Sequence, residues 1–349
     1  MASSTGRHRD LSDAVISVVI PSYNSAGLVP DAIRSVLGQT RPADEIIVVD
    51  DGSRDETGQV CAEFGPAVRY IRQENAGASA ARNTGIAASR GDWLAFLDAD
   101  DLWDAEKLEL QLAALVRHPD ADFALTASLA WSPRENAYHL CRWAGPLNPD
   151  VMRCELLIRN IFTGLCSSIL VRRDALEDVG CFASGKACED RRLGIALLAK
   201  YRAVILDVPL IRQRPGPAHF SNPERHRIEM LSLIADHEAL FSRLDPSGRL
   251  KRRARARMYE RSGMHYLENG DLRMAMRDLR SAVRRWPFMA NPWRVLVNSC
   301  LGRLKLPGAP TSADCQNQYT RPREAPRQAA GGPDSAGRGL FACKSPAGV

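Results

Sequence analysis

The apolar run Trp93-Leu94-Ala95-Phe96-Leu97 leads straight into Asp98-Ala99-Asp100-Asp101, and this junction constrains the chain more than any other. Five consecutive apolar residues read as a strand buried on both faces. Three carboxylates leaving its end repel one another and are costly to bury unless a cation joins them. A divalent metal carrying a diphosphate supplies that cation, because Mg²⁺ and Mn²⁺ suit one or two carboxylates plus phosphate oxygens and water. The competing reading is that the acids cap a following helix, Leu102 to Arg117.

The segments before this junction repeat its layout. Residues 15–20, Val-Ile-Ser-Val-Val-Ile, and Ile46-Ile47-Val48-Val49 are β-branched runs. Between them Leu28, Ala32, Ile33, Val36 and Leu37 recur at helical spacing. A helix near Thr57–Glu63, a strand at Val68–Ile71, a helix at Ala78–Ala88 and the strand Trp93–Leu97 complete an open, doubly wound, mostly parallel α/β sheet. Ligands bind outside the carboxyl ends of such strands. The polar segments fall there: Pro21-Ser22-Tyr23-Asn24 after the first strand, Asp50-Asp51-Gly52-Ser53 after the second, Asp98 to Asp101 after the fourth.

Beyond Ala130 the pattern is less regular. Trp131–Pro149 reads as loop, Val151–Arg159 as helix, Ser167–Val171 as strand, Ala175–Val179 and Leu193–Ala199 as helices, and Val204–Val208 as strand. Pro215-Gly216-Pro217 closes this unit. From Asn222 to about Leu304 the chain is helical and basic, densest between Arg249 and Arg261. Ala256–Pro287 resembles one tetratricopeptide-type unit turning at Asn269-Gly270-Asp271, and a single unit makes no solenoid. The expected organisation is a disordered tail over 1–13, a catalytic domain over 14–220, a basic α-helical extension over 221–304, and a disordered tail over 305–349 rich in Pro, Gly, Ala and Ser.

Composition excludes several classes. The 349 residues carry 47 basic and 41 acidic side chains, a net +6 too mild to mark a nucleic-acid binder. Nine cysteines without a C-x-x-C pair or zinc spacing point to reduced thiols in a cytoplasm. Residues 1–13 lack a signal-peptide core, and no run approaches the ~20 apolar residues of a span. A cytoplasmic protein is expected, with its basic helices able to rest on the inner face of a membrane. A dinucleotide-dependent oxidoreductase would need G-x-G-x-x-G after the first strand, where this chain has Pro21-Ser22-Tyr23-Asn24-Ser25-Ala26-Gly27.

Four ordered motifs then converge: Val18-Val19-Ile20-Pro21-Ser22-Tyr23-Asn24, Asp50-Asp51-Gly52-Ser53, Asn75-Ala76-Gly77-Ala78-Ser79-Ala80-Ala81-Arg82-Asn83 and Leu97-Asp98-Ala99-Asp100-Asp101. Together they resemble the successive motifs of family 2 glycosyltransferases over about residues 15–215. The resemblance implies a GT-A fold and an inverting enzyme using a divalent metal and a nucleoside diphosphate sugar, most commonly a UDP-sugar. It also implies transfer to a hydroxyl of a glycan or lipid-linked acceptor in cell-surface polysaccharide biosynthesis.

Each motif has a physical reading beside the implied one. Tyr23, after Pro21, either stacks on a base or packs beside the sheet. Asp50 and Asp51 either accept hydrogen bonds from base and ribose or cap the turn at Gly52-Ser53, and the resemblance favours Asp51 for the nucleotide. Arg82 pairs either with Asp98 or with phosphate. The resemblance assigns Asp98 to the nucleotide and metal region and Asp100 to the metal, leaving Asp101 as a helix cap. Glu189-Asp190, after Gly180-Cys181-Phe182, resembles the family's E-D pair. Asp190 is the expected base and Glu189 its neighbour, against the alternative of capping the helix at Leu193. Arg191-Arg192 departs from the usual continuation and either meets an anionic acceptor or is solvated. That departure leaves open a non-catalytic sugar-nucleotide or protein-binding module with a degenerate acceptor site. Arg212, Arg214 and His219 fall where the family often has a loop closing over the diphosphate. Arg284-Arg285-Trp286 resembles part of a processive synthase motif, but Ala282 replaces the required glutamine and processive synthesis is rejected.

Overall fold

The computed structural model describes residues 11–132, 136–159, 164–185, 188–214 and 222–300. The expectations for Pro215-Gly216-Pro217, His219, the tail from 305 and most of the tail 1–13 fall outside these residues. In chain order the elements are β1 Ile16–Ser22, α1 Val29–Leu37, β2 Glu45–Asp50, α2 Thr57–Ala62, β3 Arg69–Arg72, α3 Ala78–Ala88, β4 Trp93–Phe96, β5 Asp101–Trp103 and α4 Lys107–Arg117. They continue with β6 Phe123–Ser132, β7 Ala137–Cys141, α5 Pro149–Ile158, α6 Leu165–Ser168, β8 Leu170–Arg172, α7 Arg173–Asp178, α8 Glu189–Lys200 and β9 Ala203–Gln213. The remaining helices are α9 Pro223–Asp236, α10 Glu238–Leu244, α11 Arg249–Glu268, α12 Leu272–Arg285 and α13 Ala290–Cys300.

The described strands form one mixed sheet in the order β3-β2-β1-β4-β8-β6-β9-β5, with β7 added beside β6. β1 pairs in parallel with both β2 and β4, and β3 pairs in parallel with β2. The chain therefore reverses its winding direction between β1 and β4, where a doubly wound sheet opens its ligand crevice. Every residue of β1 is buried, as an unbroken apolar run requires. On one face Ile16, Val18 and Ile20 pack with Val29, Ile33 and Val36 of α1 and with Leu108 and Leu115 of α4. On the other, a Cβ at Gly85 would lie 2.3 Å from Val19 Cγ1, so glycine lets α3 seat directly on β1. That close seating brings Arg82, one turn earlier, to the sheet's ligand edge.

The structure corrects several local readings. The helix expected from Leu102 starts only at Lys107, because Asp101–Trp103 pairs antiparallel with β9. Asp101 and Trp103 are buried around half-exposed Leu102, a two-residue period that a strand satisfies. The expected loop after Trp131 is the hairpin β6–β7, with the Trp131 and Tyr138 rings paired across it at 5.1 Å. The expected strand from Ser167 begins instead as the helical turn α6, entered through Gly164 at φ +70. β9 is longer than expected and crosses Pro209 by a register shift against Thr126 and Ala127.

The chain divides into two compact units. The first holds the sheet and also residues 236–246, whose Arg243 meets Asp150 of α5 at 2.6 Å. The second is made of residues 222–235 and the described residues from Ser247 onward. Its core is the α11–α12 hairpin, turning at Gly270 with φ +79 and capped by Asp271, which accepts from the Met274 amide at 3.0 Å. Buried Arg227 of α9 pairs with buried Asp278 of α12, and the Ser262 hydroxyl donates to the same carboxylate at 2.6 Å.

Candidate active site

The loops after β1 and β2 are laced together at the carboxyl edge. The Asn24 amide donates to Ser53 Oγ at 2.8 Å and the Arg54 amide to Asn24 Oδ1 at 2.8 Å. Asn24 holds φ +47, a left-handed geometry that asparagine tolerates better than most residues. The lacing leaves the Tyr23 ring 44% exposed at the rim, while Pro21 is buried inside β1 opposite Val49.

Asp50 and Asp51 turn inward at this edge. Asp50 is fully buried and accepts from the Ser53 amide at 2.8 Å and from the Tyr70 hydroxyl. Burial, reinforced by that bond to Asp50, pushes the Tyr70 hydroxyl pKa up. Asp51 accepts from Gln73 Nε2 at 2.7 Å and from the amides of Ala76 at 2.9 Å and Gly77 at 2.7 Å. As folded, Asp50 anchors its own turn, with one oxygen on the Ser53 amide and the other on the Tyr70 hydroxyl. The turn at Gly52, with φ +81, directs the pair away from solvent. Asp51 shapes the loop into α3 through two backbone amides.

The acids after β4 separate by burial. Asp98 and Asp100 are half-buried, whereas Asp101 is almost fully enclosed. Burial raises the Asp101 pKa well above the usual carboxylate range, and the charges of Asp98 and Asp100 add to the rise. The Ser167 hydroxyl donates to Asp101 Oδ2 at 2.6 Å and accepts from the Asp98 amide at 3.1 Å. Asp101 is therefore an inward strand residue tied to α6, which corrects the helix-cap reading.

Arg214 stands directly after β9 and reaches back to the acidic loop. Its Nε donates to the Asp100 carbonyl at 2.9 Å, and its Nη2 donates to the carbonyls of Ala99 at 3.0 Å and Leu28 at 2.8 Å. Its Nη1 meets Asp31 Oδ2 at 3.0 Å. One guanidinium fork thus clamps the acidic loop to the start of α1. Arg214→Ala is expected to cost about 3 kcal/mol in denaturant unfolding, since hydrogen bonds from a charged group contribute ~1.5–3 kcal/mol and several carbonyls lose their donor. Arg214→Lys is expected to recover less than half, because one ammonium cannot reproduce the fork.

Arg82 brings the distant motifs together. Its Nη2 lies 2.6 Å from Asp98 Oδ1 and its Nη1 3.3 Å from Glu189 Oε1, a partner 107 residues away in sequence. Arg82 is only 5% exposed and lies over the Phe182 ring at 5.2 Å. Its Nε has no hydrogen-bond partner among the described residues. Asn83 fixes the Gly180-Cys181-Phe182 segment, accepting from the Phe182 amide at 3.1 Å and donating to its carbonyl at 2.9 Å. Helix α8 then begins at Glu189, straight after Cys188 at φ +58, a strained conformation for a non-glycine residue. Asp190 spends one oxygen on the Arg191 amide at 2.7 Å, and Oδ2 has no hydrogen bond among the described residues. Arg191 is buried rather than solvated.

Among the described residues no group of three or more His, Cys, Asp or Glu side chains is arranged to hold a metal by itself. The donor set fits an ion of another kind. Asp98 and Asp100 offer one or two carboxylates at the rim, which suits Mg²⁺ or Mn²⁺ completed by phosphate and water.

The model of the family described as "Glycosyl transferase family 2" matches residues 17–180, the span holding the loops after β1, β2 and β4 and ending at Gly180. Residues 17–180 belong to glycosyl transferase family 2. The chain is 32% identical over 170 residues to TuaG of Bacillus subtilis (strain 168), whose name assigns it provisionally to teichuronic acid biosynthesis. That match covers 46% of this chain and 63% of TuaG. Across curated relatives the chain spans between 15% and 63% of their length. The fold is similar to S. aureus TarS 1–349 in complex with UDP-GlcNAc, with TM-score 0.54, 19% identity, and coverage of 78% of this chain and 81% of that one. It is similar also to the mannosyltransferase PcManGT of Pyrobaculum calidifontis in complex with GDP-Man and Mn²⁺, with TM-score 0.52, 19% identity, and coverage of 83% and 80%. At these identities the likeness establishes the GT-A-type fold.

Sequence reasoning missed the hydroxyl contacts of Ser167, the clamp that Arg214 makes on the acidic loop and the anchoring role of Asn83. Each acts on partners 66–186 residues away, and no local pattern announces such a contact.

Proposed function

We propose that this chain is a non-processive, inverting glycosyltransferase. It moves a sugar from a nucleoside diphosphate, a UDP-sugar by preference, to a hydroxyl of a glycan or lipid-linked acceptor in cell-surface polysaccharide biosynthesis. The observation that carries the reading is the Arg82 bridge from Asp98 to Glu189, which sets a donor-side acid and the acidic start of α8 on one guanidinium.

In this reading the Tyr23 face receives the base, and Asp51 holds the Ala76-Gly77 turn beside it. Asp98 and Asp100 hold Mg²⁺ or Mn²⁺, which when bound offsets charge on the departing diphosphate. Asp190, with one oxygen uncommitted among the described residues, takes the acceptor hydroxyl proton as that oxygen attacks opposite the leaving group. Glu189, held by Arg82, keeps the start of α8 in position. The names of TuaG, TarS and PcManGT support the polymer class, the nucleotide-sugar donor and the ion. Among the described residues no helix is long and apolar enough to cross a membrane. Placement in the cytoplasm, against the inner membrane face, belongs to the same proposal.

A thermal-shift series of nucleoside diphosphates and their sugars with Mn²⁺ tests it. Ligand that binds only the native state raises its midpoint, so a UDP or GDP compound at 100-fold over its Kd is expected to stabilise by about 2.7 kcal/mol, and only with the metal present. No shift with any nucleoside diphosphate would sink the proposal.

A further inference from the structure

The second unit holds more than the whole positive excess of the chain. Residues 222–235 and 247–300 contain fifteen Lys and Arg against six Asp and Glu, whereas the full chain has 47 against 41. Helix α12 sorts this charge by face. Ala275, Asp278, Leu279 and Ala282 are buried, while Arg273, Arg277, Arg280 and Arg284 are exposed. Their four-three-four spacing places the four guanidiniums in one row.

Little in the unit neutralises that row. Arg277 pairs with Asp278 at 3.0 Å and with Glu224 at 3.8 Å. Arg273, Arg280 and Arg284 make no hydrogen bond or ion pair among the described residues. Asp271, which lines the same groove, is already engaged as the helix cap. Like charges at such spacing destabilise a helix, and an anionic surface reverses that cost.

The same unit exposes apolar groups. Phe288 is 82% exposed in the turn between α12 and α13, and Trp293 and Val297 stand one turn apart on α13 at 46% and 48%. Arg294, beside Trp293, is exposed as well. A soluble polyanion would satisfy the arginines and leave these side chains in water. A bilayer interface satisfies both, with phosphates for guanidinium and a headgroup layer for Trp and Phe.

We infer that the exposed faces of α12 and α13 form a docking surface for an anionic phospholipid bilayer. Arg273, Arg277, Arg280 and Arg284 meet lipid phosphates, and Phe288 and Trp293 enter the interfacial layer. The inference names the partner of the membrane-side placement proposed above, and rests on that reading for its purpose alone.

Flotation of the full chain with vesicles tests it without any turnover. Recovery is expected with phosphatidylcholine vesicles containing about one third phosphatidylglycerol and not with phosphatidylcholine alone, and it should fall with salt. The triple variant Arg273→Glu, Arg280→Glu, Arg284→Glu is expected to lower partitioning by about 100-fold or more, from a contribution of about a factor of ten or less per basic residue. Phe288→Ser is expected to lower it by roughly tenfold. All four positions are exposed, so both variants should keep the wild-type thermal midpoint. Equal recovery of wild type and triple variant, or capture by polyglutamate or nucleic acid without capture by anionic vesicles, overturns the inference. Failed flotation with an intact nucleotide-dependent thermal shift removes the docking surface and leaves the transferase reading. The reverse pattern removes the transferase reading and leaves the surface.

Discussion

Asp100→Ala is expected to lower sugar transfer by about three orders of magnitude and to abolish the metal dependence of donor binding. A bound divalent ion contributes several kcal/mol of charge stabilisation, and ~4 kcal/mol corresponds to about a thousandfold. The geometry makes Asp100 the sharper target of the two rim acids. Asp98 already pairs with Arg82 at 2.6 Å, so removing it would also leave a buried guanidinium short of a partner. Asp100 is half-buried at the rim, and Arg214 donates to its backbone carbonyl, an acceptor that alanine keeps. The variant should therefore fold with a near-native unfolding midpoint. Titration of Mn²⁺ in the presence of UDP, followed by calorimetry, reads the effect directly. Unchanged Mn²⁺-dependent nucleotide binding would refute the assignment.

Asp190→Asn is expected to reduce transfer by 10²–10⁴-fold, the usual range for removing a general base, while nucleotide affinity stays within about twofold. Asparagine can keep the hydrogen bond from the Arg191 amide, so the first turn of α8 is preserved. What disappears is the capacity to take a proton at the other oxygen. Single-turnover transfer and equilibrium binding of the nucleoside diphosphate, measured on the same preparation, separate the two effects. Weakened binding with retained transfer would reverse the roles given to the donor side and the acceptor side. Glu189→Gln is not an equivalent test, because Glu189 is bound to Arg82 and its change disturbs the bridge itself.

The legible parts of this protein are those encoded by neighbouring residues. Alternating apolar runs and helical periods placed β1, α1, β2 and α3 within a residue or two, because strands buried on both faces and helices with one apolar stripe carry their own period. The polar loops after β1, β2 and β4 were legible for the same reason, each standing where an apolar run stops. Short elements were not. β5 is three residues long and looks like the start of a helix until β9 is beside it. The β6–β7 hairpin holds through a Trp131–Tyr138 pair that no nearest-neighbour pattern reveals.

The sequence by itself determined the α/β architecture, the identity of the acids at the sheet's edge and the basic character of the helical unit, since these follow from short-range periodicity and composition. Only the tertiary structure decided what each acid does. It turned Asp50 and Asp101 inward, left Asp98 and Asp100 at the rim, and put Arg214 behind the acidic loop and Arg82 between Asp98 and Glu189. The physical reason is that a carboxylate's role is set by its burial and its hydrogen-bond donors, and here those donors arrive from segments far away in the chain.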